Sequence, residues 1–142
     1  MNAGLSLAIQ GPDTMSRDPS QNVYWYAVRN AGSSPLSICT SLTDVIFWLE
    51  QNGKDVTWDH FPEIVFRSVV YTLQPGAPML IEGTPPDGIE FNCNYAGVLE
   101  TDFDRKYVGA YELQVRGKVG LGTKGHCRLV ELRSAPMHVV VN

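Results

Sequence analysis

Apolar and polar residues alternate in short runs along this chain, and each run is closed by turn-forming residues. Leu5–Gln10 (LSLAIQ) sets Leu5, Leu7 and Ile9 against Ser6, Ala8 and Gln10 before Gly11-Pro12 stops it. A period of two is the signature of a half-buried strand, so a first strand is expected here. Residues 14–21 are polar, contain Pro19 and read as loop. In residues 22–30 (NVYWYAVRN) both alternating sets carry large side chains, Val23, Trp25 and Ala27 against Tyr24, Tyr26 and Val28, as in a central strand covered on both sides. After the turn at residues 31–35, the PLSICTS run is expected to point Leu36 and Ile38 inward, and residues 44–50 (DVIFWLE) read as a further, aromatic-rich strand.

Asn52-Gly53 is the dipeptide that a type I′ hairpin favours, because both central residues need positive φ, so residues 47–51 should pair with residues 54–58. Residues 64–73 are strand-like, Gln74-Pro75-Gly76 supplies a type II turn, and residues 77–82 continue as a short strand. Residues 83–106 are irregular and carry Glu100, Asp102 and Asp104. Regularity returns in residues 107–119, where Tyr111, Leu113 and Val115 share a face. Residues 126–132 run back after the GLGTKG turn, and MHVVVN closes the chain. No run of about a dozen residues shows a 3.6-residue apolar stripe, and about nine strands spaced roughly 8–12 residues apart indicate an all-β, immunoglobulin-like two-sheet antiparallel sandwich with one long insertion. Trp25, Phe47, Leu49, Val69, Tyr111, Leu113 and Val140 are expected between the sheets.

With 142 residues, 44% of them hydrophobic, the chain has the size and apolar content of one core, so residues 1–142 are read as a single domain. Thirteen Gly and nine Pro favour many turns over long helices. Eleven Lys and Arg against 15 Asp and Glu give a net charge of −4 with no basic run, so nucleic acid is not an expected partner. Apolar runs fall short of the roughly 20 residues of a membrane span, and the amino terminus lacks a signal-peptide pattern, which leaves a cytoplasmic or a mature exported form. Cys39, Cys93 and Cys127 specify neither a zinc knuckle nor a disulfide framework. Buried free thiols are the main expectation; in an exported chain one bridge would form, Cys93 to Cys127 being the pair expected.

No G-x-S-x-G elbow, HExxH or Gly-rich phosphate loop occurs, so the chain is not expected to be an enzyme. His126, Cys127, Met137 and His138 are the ligand types of a blue-copper centre, but nine residues separate Cys127 from Met137. The expectation is that Cys127 and Met137 face the core while both histidines face water, with no metal or other cofactor. Glu100, Asp102 and Asp104 read as a solvated acidic face rather than a calcium site. Trp58, His60 and Phe61 lie in an aromatic loop, and Phe91, Tyr95 and Phe103 lie in the insertion at residues 87–106. Aromatic side chains on loops of a rigid scaffold can anchor a partner, so these six are the candidate binding residues and another protein is the expected partner.

The order VRNAG, PLSI, an aromatic strand, NGKDVTW, LQPG, GAYEL and SAPMHVVV resembles that of bacterial immunoglobulin-like sandwich domains. Within that group, residues 23–111 are most similar to the intracellular proteinase inhibitor family of the BsuPI type. The chain departs from that pattern in its long insertion and in carrying Thr40-Ser41-Leu42-Thr43 before the aromatic strand. The resemblance implies a binding module. The leading expectation is therefore a non-enzymatic protein-binding or scaffold module that presents loops from a β-sandwich. A proteinase inhibitor whose loops enter a protease cleft is the alternative, and a small metal-binding protein built on His126, Cys127, Met137 and His138 is the second.

Overall fold

The alternation seen at Val45, Phe47 and Leu49 occupies the second half of one 16-residue strand, Leu36–Gln51, the spine of the larger sheet, while residues 38–43 before it are all buried. We describe a computed structural model over residues 4–15, 24–57, 68–79, 89–91 and 109–141, and among these all regular structure is strand. In chain order the strands are β1 (Leu5–Gln10), β2 (Thr14–Met15), β3 (Trp25–Asn30), β4 (Leu36–Gln51), β5 (Lys54–Asp55), β6 (Ser68–Leu73), β7 (Ile89–Phe91), β8 (Gly109–Thr123), β9 (His126–Arg133) and β10 (Met137–Val141). They form a three-stranded sheet, β1-β3-β7, and a seven-stranded one built on β4 and β8. No helix among the described residues is long and apolar enough to cross a membrane.

The two long strands pair antiparallel, Phe47 with Val115 and Leu49 with Leu113, and each serves two partners along its outer edge. Beside β4 lie β6, from Leu36 to Thr40, and β5, at Glu50 and Gln51. Beside β8 lie β9, from Arg116 to Thr123, and β10, from Gly109 to Leu113. Thus β9 and β10 are nearly one strand, interrupted at Ser134-Ala135-Pro136, where proline has no N–H to give to a ladder. Buried Ser134 repairs the break: its N–H donates to Val115 O, its Oγ accepts from Val115 N–H, and its carbonyl accepts from Gln114 Nε2.

One core joins the sheets. Leu5, Leu7, Tyr24, Tyr26 and Val28 come from the smaller side, and Ile38, Phe47, Leu49, Tyr111, Leu113, Val115, Leu132 and Val139 from the larger. Tyr26 meets Phe47 edge-on across the gap, with ring centroids 6.1 Å apart. Such a pair is stabilising beyond its area because the positive edge of one ring faces the negative face of the other. Near one end, Asn30 is fully buried yet satisfied. Its Nδ2 donates to Ser34 O and Leu73 O, its Oδ1 accepts from Gly32 N–H, and its backbone bonds Ala77 and Gly76. One asparagine thus ties β3, the following turn and the end of β6 together.

Several expectations are corrected. Residues 36–41 and 44–50 belong to the single strand β4; register shifts near Cys39 and between Thr40 and Ile46, with Asp44 at φ +53°, bend it without ending it. Thr14 and Met15, expected in a loop, pair parallel to β10 because Met15 is buried in the core, so the larger sheet is mixed rather than purely antiparallel. Val140 is 41% exposed; the pleat turns Val139 and Val141 inward instead. The expected Asn52-Gly53 turn is present, with φ +53° and +74°, but its ladder is shorter than the expected pairing of residues 47–51 with 54–58 and joins only Gln51 with Lys54 and Glu50 with Asp55. Phe47, Leu49, Tyr111 and Leu113 are buried as expected, whereas the side chains of Trp25 and Val69 lie outside the described residues.

The cysteines depart most from expectation. Cys39 of β4 is bridged to Cys127 of β9, with Cα atoms 5.9 Å apart. Leu121 of β8 pairs with Ile38 on one side and Arg128 on the other, so β8 runs between the bridged strands. Two strand spacings in a flat sheet would be about 9.5 Å, so the sheet curls here. Gly120 permits the crossing: a Cβ there would lie 2.7 Å from Cys127 Sγ and 2.5 Å from Thr40 Oγ1. Cys127 is exposed rather than facing the core, and Cys93 lies outside the described residues.

Candidate binding face

The strand period that buries Val45, Phe47 and Leu49 necessarily turns Ile46, Trp48 and Glu50 to the other side of the larger sheet. Register sets their neighbours. Ile46 lies opposite Arg116, Trp48 opposite Gln114 and Glu50 opposite Glu112. On the next strand Arg133 lies opposite Arg116, and Glu131 opposite Lys118. Of these, Ile46, Trp48, Arg116, Lys118, Glu131 and Arg133, with Asp44 and Gly117, line a shallow hollow of about 280 Å³.

At its centre the Arg116 guanidinium lies 3.8 Å above the Trp48 ring. Stacking leaves the edge of the guanidinium plane free to donate, and Arg116 Nε donates to Gln114 Oε1 at 2.7 Å. Trp48 Nε1 donates to Glu50 Oε1 at 3.2 Å. Around them, Lys118 Nζ stands 3.5 Å from Asp44 Oδ2, and Arg133 Nε 2.7 Å from Glu131 Oε1. Gly117 is where the sheet can approach closely: a Cβ there would sit 2.7 Å from Leu42 Cδ1. Burial, and then the facing Arg133, make Arg116 give up its proton more readily than an ordinary arginine; Glu131, Glu50 and Asp55 act in the opposite sense. Like charges directly opposite on neighbouring strands are destabilising, so Arg116 and Arg133 are held together at a cost.

Toward the hairpin the same face turns acidic. Asp55, Glu50, Glu112 and His138 stand in one cross-strand row, and a second hollow of about 280 Å³ is lined by Glu50, Asn52, Gly53, Ala110, Tyr111, Glu112 and His138. His138 Nδ1 is 3.7 Å from Glu112 Oε1. Among the described residues no group of three or more His, Cys, Asp and Glu side chains could hold a metal ion. His126, opposite Thr123, and His138, opposite Glu112, lie 11 pairing positions apart along β8, or about 35 Å at strand rise, and Cys127 is spent in the disulfide. The four residues of the copper-like set are therefore not brought together.

Of the loop aromatics singled out from sequence, Trp58, His60, Phe61, Tyr95 and Phe103 lie outside the described residues. Phe91 ends β7 opposite Trp25, and its side chain is likewise outside them. The residues of the hollow were missed because outward positions of an alternating strand read as solvated. A tryptophan on the polar side of DVIFWLE and an arginine on that of ELQVRGK were the available signal.

Comparison with known proteins places the chain in no family: no family model matches, and no curated protein matches significantly. A crystal structure of a protein from Archaeoglobus fulgidus is similar over 96% of each chain, at 12% identity and a TM-score of 0.40.

Proposed function

We propose that this chain is a non-enzymatic recognition module, an immunoglobulin-like sandwich that binds another protein through the outer face of its larger sheet. The observation that carries the reading is the Trp48–Arg116 stack at the centre of a hollow on that face. Tryptophan and arginine dominate the energetically important residues of protein interfaces, because each combines a large apolar surface with directional donors. The rows of cations and carboxylates around the stack give the face a charge pattern that a complementary surface can match. The Cys39–Cys127 bridge favours work in an oxidising compartment, as a mature exported form.

The test is affinity capture from the organism that makes the protein, using wild-type and Trp48→Ala chains as bait after circular dichroism has shown both to be folded. Recovery of one protein in near-stoichiometric amount by wild type, depleted at least tenfold with Trp48→Ala, supports the proposal. Equal recovery by both baits removes the face from the reading, and recovery of nothing removes the reading.

A further inference from the structure

We infer that the hollow between Arg116 and Arg133 is a carboxylate-binding site, filled by an Asp or Glu side chain of the partner protein. This rests on the recognition reading above and adds the chemistry of the contact. Arg116 and Arg133 face each other on adjacent strands, and Lys118 adds a third cation. Asp44 and Glu131 supply two carboxylates to the same lining, so the hollow carries a net charge of +1 by count on a chain of net −4.

Geometry favours a planar anion. Arg116 is immobilised from below by the Trp48 ring and from the side by Gln114, its one hydrogen-bond acceptor among the described residues. Its terminal nitrogens retain N–H donors in the plane of the fork, the arrangement that meets a carboxylate with two parallel bonds. Arg133, its Nε held by Glu131, can approach the same anion from the neighbouring strand. Burial and the facing Arg133 both disfavour the charged form of Arg116, and an incoming carboxylate would offset both penalties. Because Arg116 is already held by Trp48 and Gln114, little of its rotamer freedom remains to be lost on binding.

The acidic row at Glu50 and Glu112 sets a limit on the occupant. It lies four residues along β8 from Arg116, about 13 Å, so a single carboxylate fits the hollow while a polyanion running along the sheet meets repulsion. A protein side chain meets that condition better than a sulfated glycan or a nucleic acid does.

The experiment is an NMR titration of the full chain followed at the Trp48 indole N–H, assigned with Trp48→Phe. The probes are N-acetyl-Ala-Glu-Ala-amide, its Gln counterpart and inorganic phosphate. The Glu tripeptide should shift the indole signal saturably, the Gln tripeptide at least tenfold more weakly, and phosphate no more tightly than Glu. Arg133→Gln, which leaves the Trp48 stack untouched, should weaken the Glu tripeptide at least fivefold, and Arg116→Gln more. Equal response to Glu and Gln, no response to either, tighter binding of phosphate, or unchanged binding by Arg133→Gln each overturns the inference. If the affinity capture above succeeds while this titration fails, recognition at the face stands and the carboxylate chemistry falls; if both fail, the recognition reading falls with it.

Discussion

Replacing both Cys39 and Cys127 by serine should cost this fold more than any other pair of small substitutions in it. The bridge joins residues 88 apart in the sequence. In the chain-entropy treatment a loop of that length removes about 15 cal/mol/K from the unfolded ensemble, or about 4.6 kcal/mol at 25 °C. Unfolding entropy of about 2.1 cal/mol/K per residue over 142 residues converts this to a fall in melting temperature of about 15 °C. Two comparisons isolate the bridge. Cys93→Ser should leave the melting temperature within about 2 °C of wild type, and the double serine variant should become insensitive to a reductant that lowers the wild-type value. Thiol titration of denatured, unreduced wild type should find one free thiol of the three cysteines. Calorimetry showing the double variant within about 3 °C of wild type, or three free thiols, would refute the reasoning. A loss confined to Cys93→Ser would do the same.

Further outcomes follow from single positions. Asn30→Ala leaves the Leu73 and Ser34 carbonyls and the Gly32 N–H without their side-chain partner, so urea unfolding should show a loss of about 3 kcal/mol. Gly120→Val puts a side chain where Thr40 Oγ1 and Cys127 Sγ already stand, and should cost about 1–3 kcal/mol while leaving part of the purified protein unbridged in a thiol assay. Tyr24 is buried on Gly11 with its hydroxyl donating to Pro12 O, and burial, followed by Asp13, pushes its pKa up to about 12. Tyr24 should therefore ionise late in an ultraviolet titration, and Tyr24→Phe should remove its contribution to the late step. Since the unfolded chain gives up this proton near pH 10 and the folded chain retains it to about 12, Tyr24 contributes to a loss of stability as pH rises through that window.

How far the sequence carried the fold depended on whether a feature is local. Asn52-Gly53 needs only its own backbone preference, and residues 45–49 and 111–115 need only a period of two, so the hairpin and these buried faces were legible. Val140 was misplaced by one residue because it was read for its own apolar side chain; MHVVVN sets Met137, Val139 and Val141 against His138, Val140 and Asn142, and the strand follows that alternation, burying Val139 and Val141. Thr14 and Met15 carry too short a pattern to mark a strand, and they become one by lying beside Val140 and Val141, more than 120 positions away.

The bridge and the candidate face were hidden for the same reason. Choosing among three cysteines requires the curl of a sheet and the absence of a side chain at Gly120, neither of which spacing reveals. Trp48 and Arg116 are 68 positions apart, and each, read in its own strand, is an outward residue among polar neighbours. Their stack exists because β4 and β8 pair with Trp48 opposite Gln114 and Ile46 opposite Arg116, a register reached only after the irregularities between Thr40 and Ile46. A one-residue slip of β4 would turn Trp48 into the core and Phe47 to water, so burial of Val45, Phe47 and Leu49 opposes any such slip. The core residues of β4 thereby position the outward face: what keeps the sandwich folded also holds Trp48 beneath Arg116 and Arg116 across from Arg133.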